Sequence, residues 1–129
     1  MSNTYNSFVV LVVPDNEAIL ATAKAASRAL DPDIGGYFAF EQQATNGTNN
    51  YRYYGCPCTK QTADSIQYMQ AVPAMLHGAI AQDYATRWPG EVPPTLAECQ
   101  AFVAALQIRV DMTAEAMLEE LGLTKVEPQ

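Results

Sequence analysis

Basic residues are scarce in this sequence. Seven lysines and arginines stand against fourteen aspartates and glutamates, which gives a net charge of -7. Because nucleic-acid affinity comes mainly from basic residues that displace counterions, the composition argues against direct binding of nucleic acid. The acid excess lies mainly in residues 91–129, where seven acidic and two basic residues give a charge of -5. We expect this acidic third to attract basic protein surfaces and to be repelled by anionic membranes.

The sequence also lacks a long apolar run. Residues 8–13 form the longest early run, which is too short for a membrane span or a signal-peptide core and is ended by Pro14. An odd number of cysteines, three, fits a reducing compartment better than a disulfide framework. We therefore predict a cytoplasmic protein without a membrane segment.

Charged residues are few, 16%, while apolar residues make up 49% of the 129 residues. A chain of this composition and length buries enough apolar surface to fold without disulfides or a metal. The sequence therefore predicts a single domain over residues 1–129, with ends that fray at about 1–6 and 125–129.

The first part of the chain predicts a strand and a helix. Residues 8–13 are consecutive apolar residues rich in valine, which favours a buried strand. Asp15 stands where its side chain can cap the next helix, whose apolar residues recur at helical spacing up to Leu30.

Two aromatic-rich runs, 37–44 and 49–55, predict a β-hairpin. Asn46-Gly47 between them is typical of a tight hairpin turn, since both residues tolerate positive φ angles. The implied register places Phe40 opposite Tyr53 and Glu41 opposite Arg52, and both cross-strand pairs are favourable. It places four aromatic residues on one face: Phe38, Phe40, Tyr51 and Tyr53.

Helical spacing dominates the second half of the chain. Apolar residues follow a helical stripe over 59–88, and Pro73 predicts a break near residues 71–72. Thr95 and Thr113 can each cap a further helix.

Residues 106–110 fit two patterns. The helical stripe that starts at Leu96 runs through them, and they also alternate apolar with polar residues as a strand does. We favour the longer helical pattern, which gives an α+β domain of β-α-β-β-α order followed by helices, with a three-stranded sheet covered on one face. The strand alternative gives the β-α-β-β-α-β, ferredoxin-like order.

The motif Cys56-Pro57-Cys58 is the best candidate for a reactive site. It lies between the hairpin and the long helix, where helix amides would lower a thiol pKa. The tripeptide resembles the redox motif of the oxidoreductase that drives disulfide import into the mitochondrial intermembrane space, whose paired cysteine-spaced helices this sequence lacks. His77 is a candidate base. The simpler interpretation is two small, partly buried thiols at a strand end.

Cysteine and histidine spacing does not favour a metal site. Cys56, Cys58, His77 and Cys99 supply enough ligand types for zinc, yet His77 and Cys99 are separated by 21 residues, unlike the close pairs of structural zinc sites. We predict neither a metal nor a cofactor.

Two surfaces are candidates for partner binding. Tyr37, Tyr54 and Arg52 are predicted on the outer face of the hairpin, where exposed aromatic residues are typical of contact patches. Three carboxylates form the acidic face of the last helix: Glu115, Glu119 and Glu120.

These patterns favour a small, acidic, non-enzymatic interaction protein. One version is an inhibitor or decoy that binds a basic surface of a protein partner. The alternative is a thiol-dependent enzyme or redox protein that uses the Cys-Pro-Cys motif. A homodimer joined at the sheet edges is a further expectation, and a small-ligand binder that uses the hairpin aromatics is a weaker one.

Overall fold

The computed structural model describes residues 5–30, 38 and 40–127. In chain order the elements are β1 (Ser7–Pro14), α1 (Glu17–Leu30), β2 (Gln42–Thr45), β3 (Asn50–Cys58), α2 (Lys60–Ala71), α3 (Pro73–Arg87), α4 (Leu96–Ala105), β4 (Gln107–Val110), α5 (Ala114–Glu120) and β5 (Thr124–Val126). The strands form one antiparallel sheet in the order β4-β1-β3-β2-β5. The α+β class is confirmed. The predicted three-stranded sheet is wrong, because β4 and β5 extend the sheet at its two edges.

β4 replaces the helix that we favoured for residues 106–110. α4 ends at Ala105, and Leu106 already has an extended backbone with φ -77° and ψ 126°. The side-chain amide of Gln70, in α2, donates to the carbonyls of Val103 and Leu106, and so satisfies acceptors that a helix leaves open at its end. β4 then pairs with β1. The strand alternative is therefore the correct one here, with three helices in the second crossover.

β5 lies in a stretch that was predicted to fray. Gly122, with φ +73°, ends α5, and the Leu123 amide donates to the Leu118 carbonyl at 2.8 Å. The chain reverses there and pairs with β2. The fraying predicted from residue 125 stays a prediction, and it overlaps β5, whose three residues are all exposed.

Both faces of the sheet are covered. Val9, Leu11 and Val13 face α1 to α4 and form a helix-side core, whereas Val10 and Val12 face α5 and form an α5-side core. All five residues are at most 1% exposed. A strand of consecutive apolar residues needs cover on both faces. The prediction that helices cover one face only is therefore wrong.

The hairpin of β2 and β3 exists, but its register differs from the predicted one by two residues. Its loop covers residues 46–49, where Oδ1 of Asn46 accepts from the amides of Thr48 and Asn49 at 2.9 and 2.7 Å. This four-residue loop gives the pairs Gln42 with Tyr53 and Gln43 with Arg52. The predicted pairs of Phe40 with Tyr53 and Glu41 with Arg52 are wrong, because side-chain bonds to Asn46 stabilise a longer loop.

The predicted single aromatic face is also wrong. Phe40 has a φ of +47°, outside strand geometry, and it lies with Phe38 in the helix-side core. Tyr53 is buried in the α5-side core, and Tyr51 packs against it. Tyr37 lies outside the described residues.

Helix boundaries follow the local signals closely. α2 and α3 meet at Val72, directly before Pro73, so the predicted break is confirmed. Thr95 caps α4 and Thr113 caps α5 through side chains that accept backbone N–H groups, as predicted. α1 is capped by Asn16 and not by Asp15. Across 5–30, 38 and 40–127, the helices are too short or too polar to cross a membrane.

Candidate functional site

The two cysteines of the Cys-Pro-Cys motif lie on the helix-side face of β3. Cys56 is opposite Val9, and Cys58 is opposite Ser7 on β1. Cys58 is fully buried and Cys56 is half-buried. Neither is in a disulfide. Burial of the Tyr54 phenol raises its pKa, and Cys56 raises it further through its charge and through a side-chain hydrogen bond.

Burial decides the protonation state of Cys58. Loss of solvent raises the pKa of this thiol above its ordinary value, and negative charge on Cys56 or Asp111 raises it further. The backbone amide of Ala63, in the first turn of α2, lowers the pKa but is the weakest of the four influences. The predicted lowering by helix amides is therefore wrong for Cys58, because burial outweighs it. The thiol stays protonated at neutral pH.

The other metal-ligating residue types do not converge with this motif. His77 is half-buried on α3, and Cys99 is buried in α4. Burial raises the pKa of the Cys99 thiol, and the neighbouring charge of Glu98 raises it further. Across the described part of the chain, His, Cys, Asp and Glu side chains form no group of three or more that could hold a metal ion.

The described residues of the predicted hairpin surface take part in contacts within the fold. Nε of Arg52 donates to Oδ2 of Asp15 at 3.1 Å, and its Nη1 donates to the Phe40 carbonyl at 3.3 Å. Tyr54 is half-buried and packs against the helix-side core. Tyr37 is not among the described residues, so the structure brings together only Arg52 and Tyr54 on this face.

The acidic residues of α5 are partly neutralised by neighbouring strands. Nζ of Lys125 lies 2.8 Å from Oε1 of Glu115. This contact holds the pKa of Glu115 below its ordinary value and the pKa of Lys125 above it. Oε1 of Glu120 lies 2.9 Å from Nε and 2.8 Å from Nη2 of Arg109. Among the described residues, Glu119 alone of the three predicted carboxylates has no ion pair.

An apolar pocket lies where α2 and α3 meet the end of α1. Its volume is about 270 Å³, and its lining residues are Leu30, Ser65, Tyr68, Met69, Met75, Leu76 and Ala79. Tyr68 and Met75 are 50% and 56% exposed, which is high for large apolar side chains. We call this site the α2–α3 pocket.

Sequence reasoning missed the α2–α3 pocket, although one signal was present. The buried helical stripe includes Met69 and Leu76, whereas Tyr68 and Met75 lie off it. Large apolar residues off the buried stripe of a helix indicate a second, exposed apolar surface.

A second, polar groove of about 550 Å³ lies at one end of β2 and β5. Its lining residues are Glu41, Gln42, Gln43, Tyr53, Lys125, Val126 and Glu127. Burial raises the pKa of Tyr53, and the positive charge of Lys125 opposes that effect. The groove therefore combines charges of both signs.

Comparisons with protein-family models, with curated proteins and with solved structures found no match for this chain.

Proposed function

We propose that this chain is a small interaction protein that binds a protein partner through the α2–α3 pocket. The observation that supports the proposal is the exposure of Tyr68 and Met75 beside an apolar depression. Tyrosine and methionine are enriched in the cores of protein interfaces, where they contribute large contact areas.

The size of the pocket favours a side chain over a cofactor. Its volume of about 270 Å³ is at or below the low end of the range of about 300 to 1,000 Å³ that small-molecule sites occupy. A single large apolar side chain of a partner would fill it. Among the described residues that line the pocket, Ser65 is the only non-aromatic polar one and none is charged. We therefore expect the affinity to change little with ionic strength.

The inhibitor or decoy version would instead use α5. Glu119 is available for a basic partner, and Glu115 and Glu120 would have to exchange Lys125 and Arg109 for the partner's cations. Binding through such exposed charges weakens as salt screens them. Salt dependence therefore separates the two surfaces.

The thiol-dependent alternative has weaker support. Cys58 is buried with a raised pKa, which disfavours the nucleophilic thiolate. The cytoplasmic location and the homodimer stay predictions.

Affinity purification from the native host at low and high salt tests the proposal. The baits are the wild type, Met75→Glu in the pocket, Glu119→Lys on α5, and Gln67→Glu as a control that adds the same charge at an exposed position of α2. We expect a protein that the wild type and Gln67→Glu retain at both salt concentrations and that Met75→Glu loses.

A different pattern would contradict the pocket proposal. Loss of the partner with Glu119→Lys and at high salt, with full retention by Met75→Glu, would assign the interaction to α5. Equal capture by all four baits at both salt concentrations would show that the partner binds neither through the α2–α3 pocket nor through α5.

A further inference from the structure

β4 is one edge of the sheet, and its outward N–H groups have no partner within the part of the chain that the structure describes. The Asp111 amide donates to the Phe8 carbonyl at 2.7 Å, so the backbone of residue 111 is directed towards β1. Residues of an antiparallel strand alternate between facing the neighbouring strand and facing away. Arg109 therefore also directs its backbone towards β1, while Ile108 and Val110 direct theirs outwards. Among the described residues, no protein acceptor lies at the outward N–H groups of these two residues.

The side chain of Arg109 lies across this edge. Its Nη1 donates to the carbonyl of Ile108 at 3.0 Å, and its Nε and Nη2 hold Glu120. Glu120 is itself fixed, because the buried residues Met117 and Leu118 hold α5 on the sheet. The guanidinium thus occupies an acceptor that an added strand would need.

The opposite edge is shorter. β5 has three residues, all exposed, and its central Lys125 is paired with Glu115. A short, charged edge strand resists pairing with another chain. β4 is the longer edge, and its outward residues are β-branched and half-buried.

We propose that the outer edge of β4 is a strand-pairing surface for a second copy of this chain and that Arg109 keeps it closed. Two copies of β4 are complementary when antiparallel, since Ile108 of each lies opposite Val110 of the other and exchanges both hydrogen bonds with it. Their apolar side chains meet on the helix-side face.

In that arrangement the two copies of Arg109 face each other at the two-fold axis. Like charges directly opposite destabilise a strand pair. Arg109 therefore opposes pairing twice, by occupying the Ile108 carbonyl and by its charge. This edge is separate from the α2–α3 pocket, so pairing at β4 does not depend on partner binding in the pocket.

The test compares wild type with Arg109→Met, which keeps an unbranched stem but removes the charge and the donors. Lys24→Met, at an exposed position of α1, is the matched control for charge. Arg109→Ser is the second variant if the methionine disturbs folding. Sedimentation velocity gives the oligomeric state, and concentration-dependent hydrogen exchange reports on the amides of Ile108 and Val110.

We expect neither the wild type nor Lys24→Met to pair through β4, and we expect the Arg109 variants to dimerise through it at least about tenfold more tightly than the wild type, as two gained hydrogen bonds and one lost repulsion imply. The two amides should become protected as the dimer forms. Monomeric Arg109 variants would overturn the proposal. So would a dimer that leaves both amides unprotected, or a wild type that already dimerises through this edge.

Discussion

At the scale of single residues, burial governs the chemistry of the cysteines. Cys58 and Cys99 are both 0% exposed, and burial is the main cause of their raised pKa values. A protonated, enclosed thiol is a poor nucleophile. These two residues therefore act as small apolar side chains of the helix-side core.

We expect iodoacetamide to leave Cys58 and Cys99 unmodified in the native protein at neutral pH and to modify both in urea. Cys56→Ser removes the half-buried third thiol, so that mass spectrometry reports on these two alone. Rapid modification of Cys58 in native Cys56→Ser would contradict this prediction and would renew support for a thiol-dependent enzyme.

The same pKa shifts predict how stability depends on pH. Cys58 and Cys99 have folded-state pKa values above the ordinary 9.0, and Tyr53 and Tyr54 have values above the ordinary 10.0. The folded state therefore retains protons that the unfolded state loses. This stabilisation is complete below the ordinary values and is lost as the pH rises through the folded-state values.

We therefore expect the free energy of unfolding, measured by urea titration, to fall as the pH rises above 9.0. Cys99→Ala removes one of the titrating groups and should make the fall less steep. A free energy of unfolding that stays constant or rises over this alkaline range would show that the buried groups do not control it.

At the scale of elements, the local signals located the helix starts but not every helix end. Thr95 and Thr113 mark their helices by sequence alone, because a cap acts within three residues. The end of α4 depends on Gln70, which is 36 residues from Leu106. A pattern read along the chain contains no sign of that contact, so the helical interpretation of residues 106–110 was wrong.

Gln70 is consequently a strong determinant of the junction between α4 and β4. We expect Gln70→Ala to lower the free energy of unfolding by about 1 to 3 kcal/mol, because the carbonyls of Val103 and Leu106 lose their partner. Chemical denaturation measures the change. Gln67→Ala, at an exposed position of the same helix, is the control and should be close to neutral. Equal effects of the two substitutions would show that the side-chain contact contributes nothing.

At the scale of the whole molecule, the candidate sites depend on packing that one sequence does not reveal. The α2–α3 pocket exists because the break before Pro73 lets two helices meet the end of α1. The acidic residues of α5 were correctly placed on one helix, yet their ion pairs require β4, which was only the alternative interpretation of residues 106–110, and β5, which was not predicted. Composition thus indicated a charged surface, and tertiary structure decided how much of that charge is available.

The sheet order also predicts where the fold opens first. β1 is an interior strand that pairs with β3 and β4, and its five residues from Val9 to Val13 are at most 1% exposed. β5 is an exposed three-residue strand at the edge. Amides open with free energies that range from near zero at frayed edges to the global value in the core. We expect native-state hydrogen exchange to be slowest in β1 and fastest among the strands in β5.

Low urea concentrations test whether these regions open separately. Exchange in β1 should require global unfolding and so become faster in proportion to the overall loss of stability, whereas exchange in β5 should be insensitive to low urea, since its opening exposes little surface. If β5 proved as strongly protected as β1, with the same urea dependence, the sheet would open as one unit. The exposure of β5 would then not make it the strand that opens first.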